Sequence, residues 1–542
     1  MTANPASAPR PASVPPARLS PAQLQTWLTD GGEIALLDVR ETGVYAHGHL
    51  LLAASAPAWR LGLLIDRLVP RRDTRVVLVD GDGSRVDEAA ATLRSLGWTS
   101  VSALDGGTQA WVAWGGELFS GTNVPSKAFG ELIEHQHHTP SIDADELARR
   151  LADGENLVVV DSRTPEEFAQ FSLPFAHSLP GGELVYRIGE LAPDPATLVV
   201  VNCAGRTRSI VGAQTLIDAG IPNPVVSLRD GTMAWLLAGR ELARGRRAAL
   251  PEPGAGSLAQ ARDRAQAMAG RAGVGWVDDA VLARWQQEAD RTLYRFDVRT
   301  REEYQTAHLA GWRWAPGGQL VQATDEFIGT RGARIVLADH DGVRALSAAA
   351  WLAQLGVGEV WLYRPAADAP RVTGPEPLQV LRPHPAVPCV SPAQAAALLA
   401  EGSTLAFDVD RRAPYERRHV AGARFCVPDR LSEFLADAPP QATILIASAD
   451  GVLAGLVAAE LVARTGRDAR AIAGGTQAWV AAGLPVGSGD RGVLSGDDDH
   501  WFSPYAHRDL ARRDAAFRAY LDWELGLVAQ LERDRTHAFR LG

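Results

Sequence analysis

Cysteine is scarce in this chain, with only Cys203, Cys389 and Cys426 among 542 residues. So few, and an odd number, exclude a disulfide framework and fit a reducing compartment. Long apolar runs are missing too: no stretch of about 18 such residues could cross a bilayer, and the Pro/Ala/Ser-rich start, Met1 to Arg10, lacks the apolar core of a signal peptide. A cytoplasmic protein with a disordered tail over residues 1–18 and no membrane partner is expected. Positive charge is not in excess, since 54 Lys+Arg stand against 64 Asp+Glu for a net charge of -10. That balance excludes nucleic acid as a partner attracted by the whole-molecule field, so any anionic ligand must be held by local arginines. Metal-ligand spacing is lacking as well. Glu134-His-Gln-His-His138 gathers three histidines, but no Cys or acid completes a set, and the cluster reads as a linker or as the rim of a neighbouring site. Neither metal nor cofactor is expected.

The chain is too long for one core, and about 150 residues per domain suggests three or four. Four segments each open with a helix-entry signal and run into an apolar strand ending in aspartate. The entries are Ser20-Pro-Ala-Gln, Asp143-Ala-Asp-Glu, Asp278-Asp-Ala-Val and Ser391-Pro-Ala-Gln; the strand ends are Asp38, Asp161, Asp297 and Asp408. Those aspartates stand 123, 136 and 111 residues apart, about one small domain each. Apolar runs such as Arg75-Val-Val-Leu-Val79 alternate with helical stretches, which predicts an α/β fold with small parallel sheets flanked by helices on both faces. Near the end of three units a Gly-rich turn leads to tryptophan: Asp105-Gly-Gly-Thr-Gln-Ala-Trp111, Asp230-Gly-Thr-Met-Ala-Trp235 and Gly474-Gly-Thr-Gln-Ala-Trp479. The third unit has Tyr363-Arg-Pro-Ala-Ala instead, and its last helix is in doubt.

Chemistry concentrates in Cys203-Ala-Gly-Arg-Thr-Arg208. A lone thiol leaves the run Leu198-Val-Val-Val-Asn202 and enters a turn with a glycine and two arginines before a helix from about Ser209. Inward backbone N–H groups, a helix N-terminus and positive charge would lower the thiol pKa and make the thiolate an attacking group. Cys389 and Cys426 lie away from this loop position and read as packing residues.

Taken together these marks resemble the rhodanese family of sulfurtransferase domains. The resemblance rests on Asp161-Ser-Arg-Thr-Pro-Glu-Glu-Phe168, the Pro180-Gly-Gly-Glu-Leu184 turn, the Cys203 loop and the Gly-x-x-Ala-Trp ending, repeated as tandem copies over residues 19–490. It implies domains at 19–121, 139–245, 274–372 and 389–489, with Cys203 taking up a sulfane sulfur as a persulfide. Arg206 and Arg208 would hold the sulfonate of a small anionic donor such as thiosulfate, Thr207 and Ser209 would add hydrogen bonds beside Ala204 and Gly205, and cyanide or a thiol would accept the sulfur. Asp161 and Arg163 are expected to support the strand end. The spacing of Asp161 to Cys203 places Asp80 and Asp339 at the corresponding points of the first and third copies, and the fourth copy has no cysteine in Ser448-Ala-Asp-Gly-Val-Leu453. Three inactive copies would serve as scaffold around one live site. A non-enzymatic binding protein is the rival reading. A cysteine phosphatase or arsenate reductase fits less well, because only four residues separate Cys203 from Arg208.

Two further segments complete the reading. The Pro/Gly-rich stretch from Arg244 to Ser257 is expected to divide the chain into halves of two domains each, and a second break runs over Pro365 to Pro388. Residues 490–542 read as an extension with one helix of about 25 residues, in which Phe517, Tyr520, Leu521, Leu525, Val528 and Leu531 form an apolar stripe. That stripe should pack on a neighbouring domain or form a homodimer contact.

Overall fold

The computed structural model describes residues 14–247, 249–366, 368–384 and 387–541. Most of the expected N-terminal tail lies outside them, although a strand already begins inside it at Ala17–Leu19. The anticipated helix entries work as caps: Asp143, Asp278 and Ser391 each accept a hydrogen bond from the backbone N–H three residues on.

In the second domain five strands lie parallel: β1 (Ser141–Ile142), β2 (Leu157–Asp161), β3 (His177–Ser178), β4 (Leu198–Asn202) and β5 (Val225–Leu228), in the order β1-β5-β4-β2-β3. Five strands in the same order recur in the sheet of each of the other three domains. The central strands are continuous Val/Leu/Ile runs because both of their faces are covered, Val199 and Val201 by one cluster and Val200 by another. Six helices matter for the site: α1 (Val124–His137), α2 (Thr207–Asp218), α3 (Gly231–Leu237), α4 (Ala255–Arg271), α5 (Leu510–Leu525) and α6 (Leu527–Asp534).

The chain gathers into two compact units, but not as sequential halves. The first and fourth domains belong to one unit; the second and third, with residues 503–542, belong to the other. The stretch from Arg244 therefore joins two domains of one unit. It leads into α4, whose Ala261, Ala265 and Met268 enter a core shared with Val185 of the second domain and Trp351 of the third. Nor is the C-terminal extension one piece. Residues to 502 belong with the fourth domain, and the expected single helix is two, parted at Gly526. Within the stripe, Phe517, Leu521 and Leu531 are buried while Leu525 is exposed. Phe517 and Leu521 pack on Met233, so this part of the stripe is used inside the chain. Among the described residues no helix follows Tyr363 in the third domain before Pro392.

Candidate active site

The strand end at Asp161 is a buried ion pair. Arg163 donates to the carboxylate from its backbone N–H (3.1 Å), Nε (2.9 Å) and Nη2 (2.7 Å), and Asn202 Nδ2 adds a fourth bond at 3.1 Å. Asp38–Arg40 and Asp297–Arg299 repeat the pair. In the fourth domain Asp410 stands where the arginine would be. Burial, with the like charge of Asp410 added, pushes the Asp408 carboxyl up to about 7.

Sheet register fixes which loop residues are equivalent. Asp161 pairs with Asn202, Asp38 with Val79, Asp297 with Ala338 and Asp408 with Ala447. The next residues are Cys203, Asp80, Asp339 and Ser448, so the first two expected equivalences hold and the fourth position is Ser448. Each Gly-Thr turn clamps the loop it faces. Thr232 N–H donates to Cys203 O at 2.9 Å, and Thr108 and Thr476 donate likewise to Asp80 O and Ser448 O. Met233 N–H and the Tyr505 hydroxyl hold Ala204 O at 3.1 and 2.7 Å. Carbonyls held on one side of a loop leave its N–H groups to line the other as an anion cradle. Gly231 makes this approach possible: at φ +52, a Cβ there would lie 2.3 Å from Cys203 O.

What fills the inward cradle differs between copies. In the third domain Asp339 accepts bonds from the N–H groups of Gly342 (2.8 Å), Val343 (3.1 Å) and Ala345 (2.8 Å). In the first, Asp80 accepts from Gly83 and Arg85, and in the fourth Ser448 Oγ accepts from Ala454 N–H. These loops are plugged by their own side chains. The third domain, lacking the Gly-Thr turn, secures its loop through Arg262 of α4, which donates to Asp341 O at 2.6 Å. In the second domain the cradle holds a thiol. Cys203 Sγ donates to Ser209 Oγ at 3.6 Å, and that hydroxyl donates to Arg206 O at 2.8 Å.

Three expectations need correction. Cys203 is only 2 % exposed, and burial pushes its thiol up rather than down, against the charge of Arg208 and the hydrogen bonds of Ser209. Arg206 does not face a ligand. Its guanidinium is buried among Glu131, Glu134 and Asp230, the Glu131 bonds being 2.8 and 2.9 Å, and this ion cluster pins the loop to α1. Arg208 forms a fork with Glu167 at 2.7 and 2.8 Å. Burial favours the neutral Glu167 carboxyl, but the Arg208 charge wins and holds it down at about 2. The third domain repeats this fork as Arg344 with Glu303. Of the remaining predicted residues, Ala204 and Gly205 form the turn and Thr207 opens α2.

Several residues around the loop are not anticipated by the sequence. The cluster from Glu134 to His138, expected as a linker or site rim, ends helix α1, with His135 and His137 in its last turn and His138 just past it. Among the described residues no group of three or more His, Cys, Asp or Glu is gathered as a metal site would require. From the C-terminal segment come Tyr505, stacked on Phe171 with ring centroids 4.7 Å apart, and Tyr520 and Glu524 of α5 over Gly205. The helical period of α5 was legible, but nothing local says which loop it covers.

Each domain's sheet order and clamped loop define one recurring α/β unit. The sequence matches the family model of the Rhodanese-like domain at residues 20–113, 143–238, 280–365 and 391–482, and the chain belongs to that family as a tandem array. It is similar to the crystal structure of a thiosulfate sulfurtransferase from Pseudomonas aeruginosa, with 44 % identity and a TM-score of 0.91, covering 97 % of this chain and 99 % of that one. A sulfurtransferase of Allochromatium vinosum is 38 % identical over 94 residues, 17 % of this chain and 85 % of that protein. No helix among the described residues is long and apolar enough to cross a membrane.

Proposed function

We propose that this protein is a sulfurtransferase in which Cys203 alone carries the sulfur. The observation behind this reading is the contrast among four equivalent loop positions: two cradles are filled by carboxylates of the chain, one by a serine hydroxyl, and one by a thiol. A cradle that accepts a carboxylate suits an anion, and at Cys203 the anion would be thiolate or persulfide. The Cys203 thiolate attacks the outer sulfur of thiosulfate, a sulfur–sulfur bond forms as the old one breaks, and sulfite leaves with its electron pair. Cyanide or a thiol then takes the terminal sulfur and Cys203 returns as thiolate. Arg208 supplies positive charge beside the sulfur while its fork with Glu167 holds it in place. The other three domains act as scaffold.

Intact-mass measurement after mixing with thiosulfate tests this. The wild type should gain about 32 Da, one sulfur, and Cys203→Ser should gain nothing. A wild type that takes no sulfur from thiosulfate or an organic persulfide leaves the covered cysteine as part of a binding module.

A further inference from the structure

Glu524 lies outside all four domain matches, yet α5 brings it to the Cys203 loop. It is 1 % exposed. Its Oε1 accepts bonds from Thr207 Oγ1 (3.2 Å) and Tyr520 OH (2.9 Å). Among the described residues Oε2 is buried with no hydrogen-bond partner, and it faces the turn, 3.3 Å from where a methyl group on Gly205 would sit. A buried carboxylate oxygen left unsatisfied costs free energy that protonation relieves.

We infer that Glu524 is coupled to the ionisation of Cys203: the two buried groups share one negative charge between them, and the thiolate forms as Glu524 takes on the proton the thiol gives up. This rests on Cys203 being the sulfur carrier. The step balances, since thiol plus carboxylate become thiolate plus carboxylic acid. The approach of an anionic donor pushes the same way, because it is repelled by an ionised Glu524 and not by a neutral one. When the acceptor has taken the sulfur, the proton can return to Cys203.

The surrounding charges fit this exchange. Burial raises the Glu524 carboxyl, opposed by Lys127 of α1, by the Tyr520 and Thr207 hydrogen bonds and by Arg206. Burial lowers the Lys127 ammonium to about 8, and above that pH its support for an ionised Glu524 fades. Glu131 adds like charge from α1, and Arg208 favours the thiolate from α2. Burial first, and Glu524 among the smaller causes, raises the Cys203 thiol. Two like charges in one site with little water do not ionise independently.

The test is the iodoacetamide alkylation rate of the Cys203 peptide across pH in the full-length protein, by mass spectrometry. Glu524→Gln keeps the shape, with the amide oxygen in place of Oε1. Its alkylation midpoint should fall by a unit or more, about tenfold more thiolate at a pH below both midpoints. Tyr520→Phe removes a donor that favours the carboxylate and should move the midpoint in the same direction, which keeps the inference testable if the glutamine variant does not fold. Superimposed midpoints, or a rate raised equally at every pH as simple uncovering would do, overturn it. Sulfur loading is scored separately: a midpoint shift in a protein that takes up no sulfur defeats the proposed function and leaves the coupling, and loading without a shift does the reverse.

Discussion

Replacing Arg206 would strand the buried Glu131 beside two half-buried carboxylates. Glu131, Glu134 and Asp230 converge on one guanidinium that is itself buried. Removing one member of a buried ion cluster leaves uncompensated charge, and Arg206→Met should cost about 3–5 kcal/mol, read as a lower urea midpoint. Glu167 and Glu303 set an acid limit of a different kind. Each carboxyl lies at about 2, against an ordinary 4.5, because an arginine fork outweighs the effect of burial. Stability from a depressed carboxyl is fully present above its unfolded value and lost as pH falls through the folded one. The melting temperature should therefore drop between about pH 4.5 and 2. Glu167→Gln with Glu303→Gln should flatten that decline. Cys203, Arg208 and the Asp161–Arg163 pair were legible as residues of interest, since strand end, loop and helix start follow one another in sequence. The partners of Arg206 were not, because its loop motif is local and α1 begins some 80 residues earlier.

Among the elements, the α3 turn has the least room for change. Gly231 combines φ +52 with a clash against two loop carbonyls, 2.3 Å to Cys203 O and 2.8 Å to Gly205 O. Gly231→Ala must shift the backbone that shapes the cradle, and the left-handed conformation alone costs roughly 1–3 kcal/mol. A lower melting temperature and a changed Cys203 alkylation rate should appear together. Gly475 occupies the matching turn of the fourth domain, where a Cβ would lie 2.1 Å from Ser448 O; Gly475→Ala should destabilise the fold and leave Cys203 alkylation unchanged. The repeated Gly-Thr signal made these turns readable in three copies. α1 and α4 went unread because each lies between repeats, with no sister copy to mark it.

For the whole molecule, two compact units predict two separable unfolding events. Ile446 of the fourth domain and Leu216 of the second are fully buried in different cores. Truncation of either to alanine should cost about 2–5 kcal/mol. In calorimetry each variant should lower one transition and spare the other. A single transition lowered equally by both would show that the units unfold as one.

The amino-acid order alone determined the repeated α/β unit, its strand ends and the one copy with a thiol, because these depend on hydrophobic period, caps and turns that act over a few residues. Only the tertiary structure decided that the first domain groups with the fourth, that Arg206 is consumed by α1, and that Glu524 arrives over Cys203. Those outcomes depend on which surfaces meet across hundreds of residues, and burial, which no local pattern reports, then sets the charge state of the site.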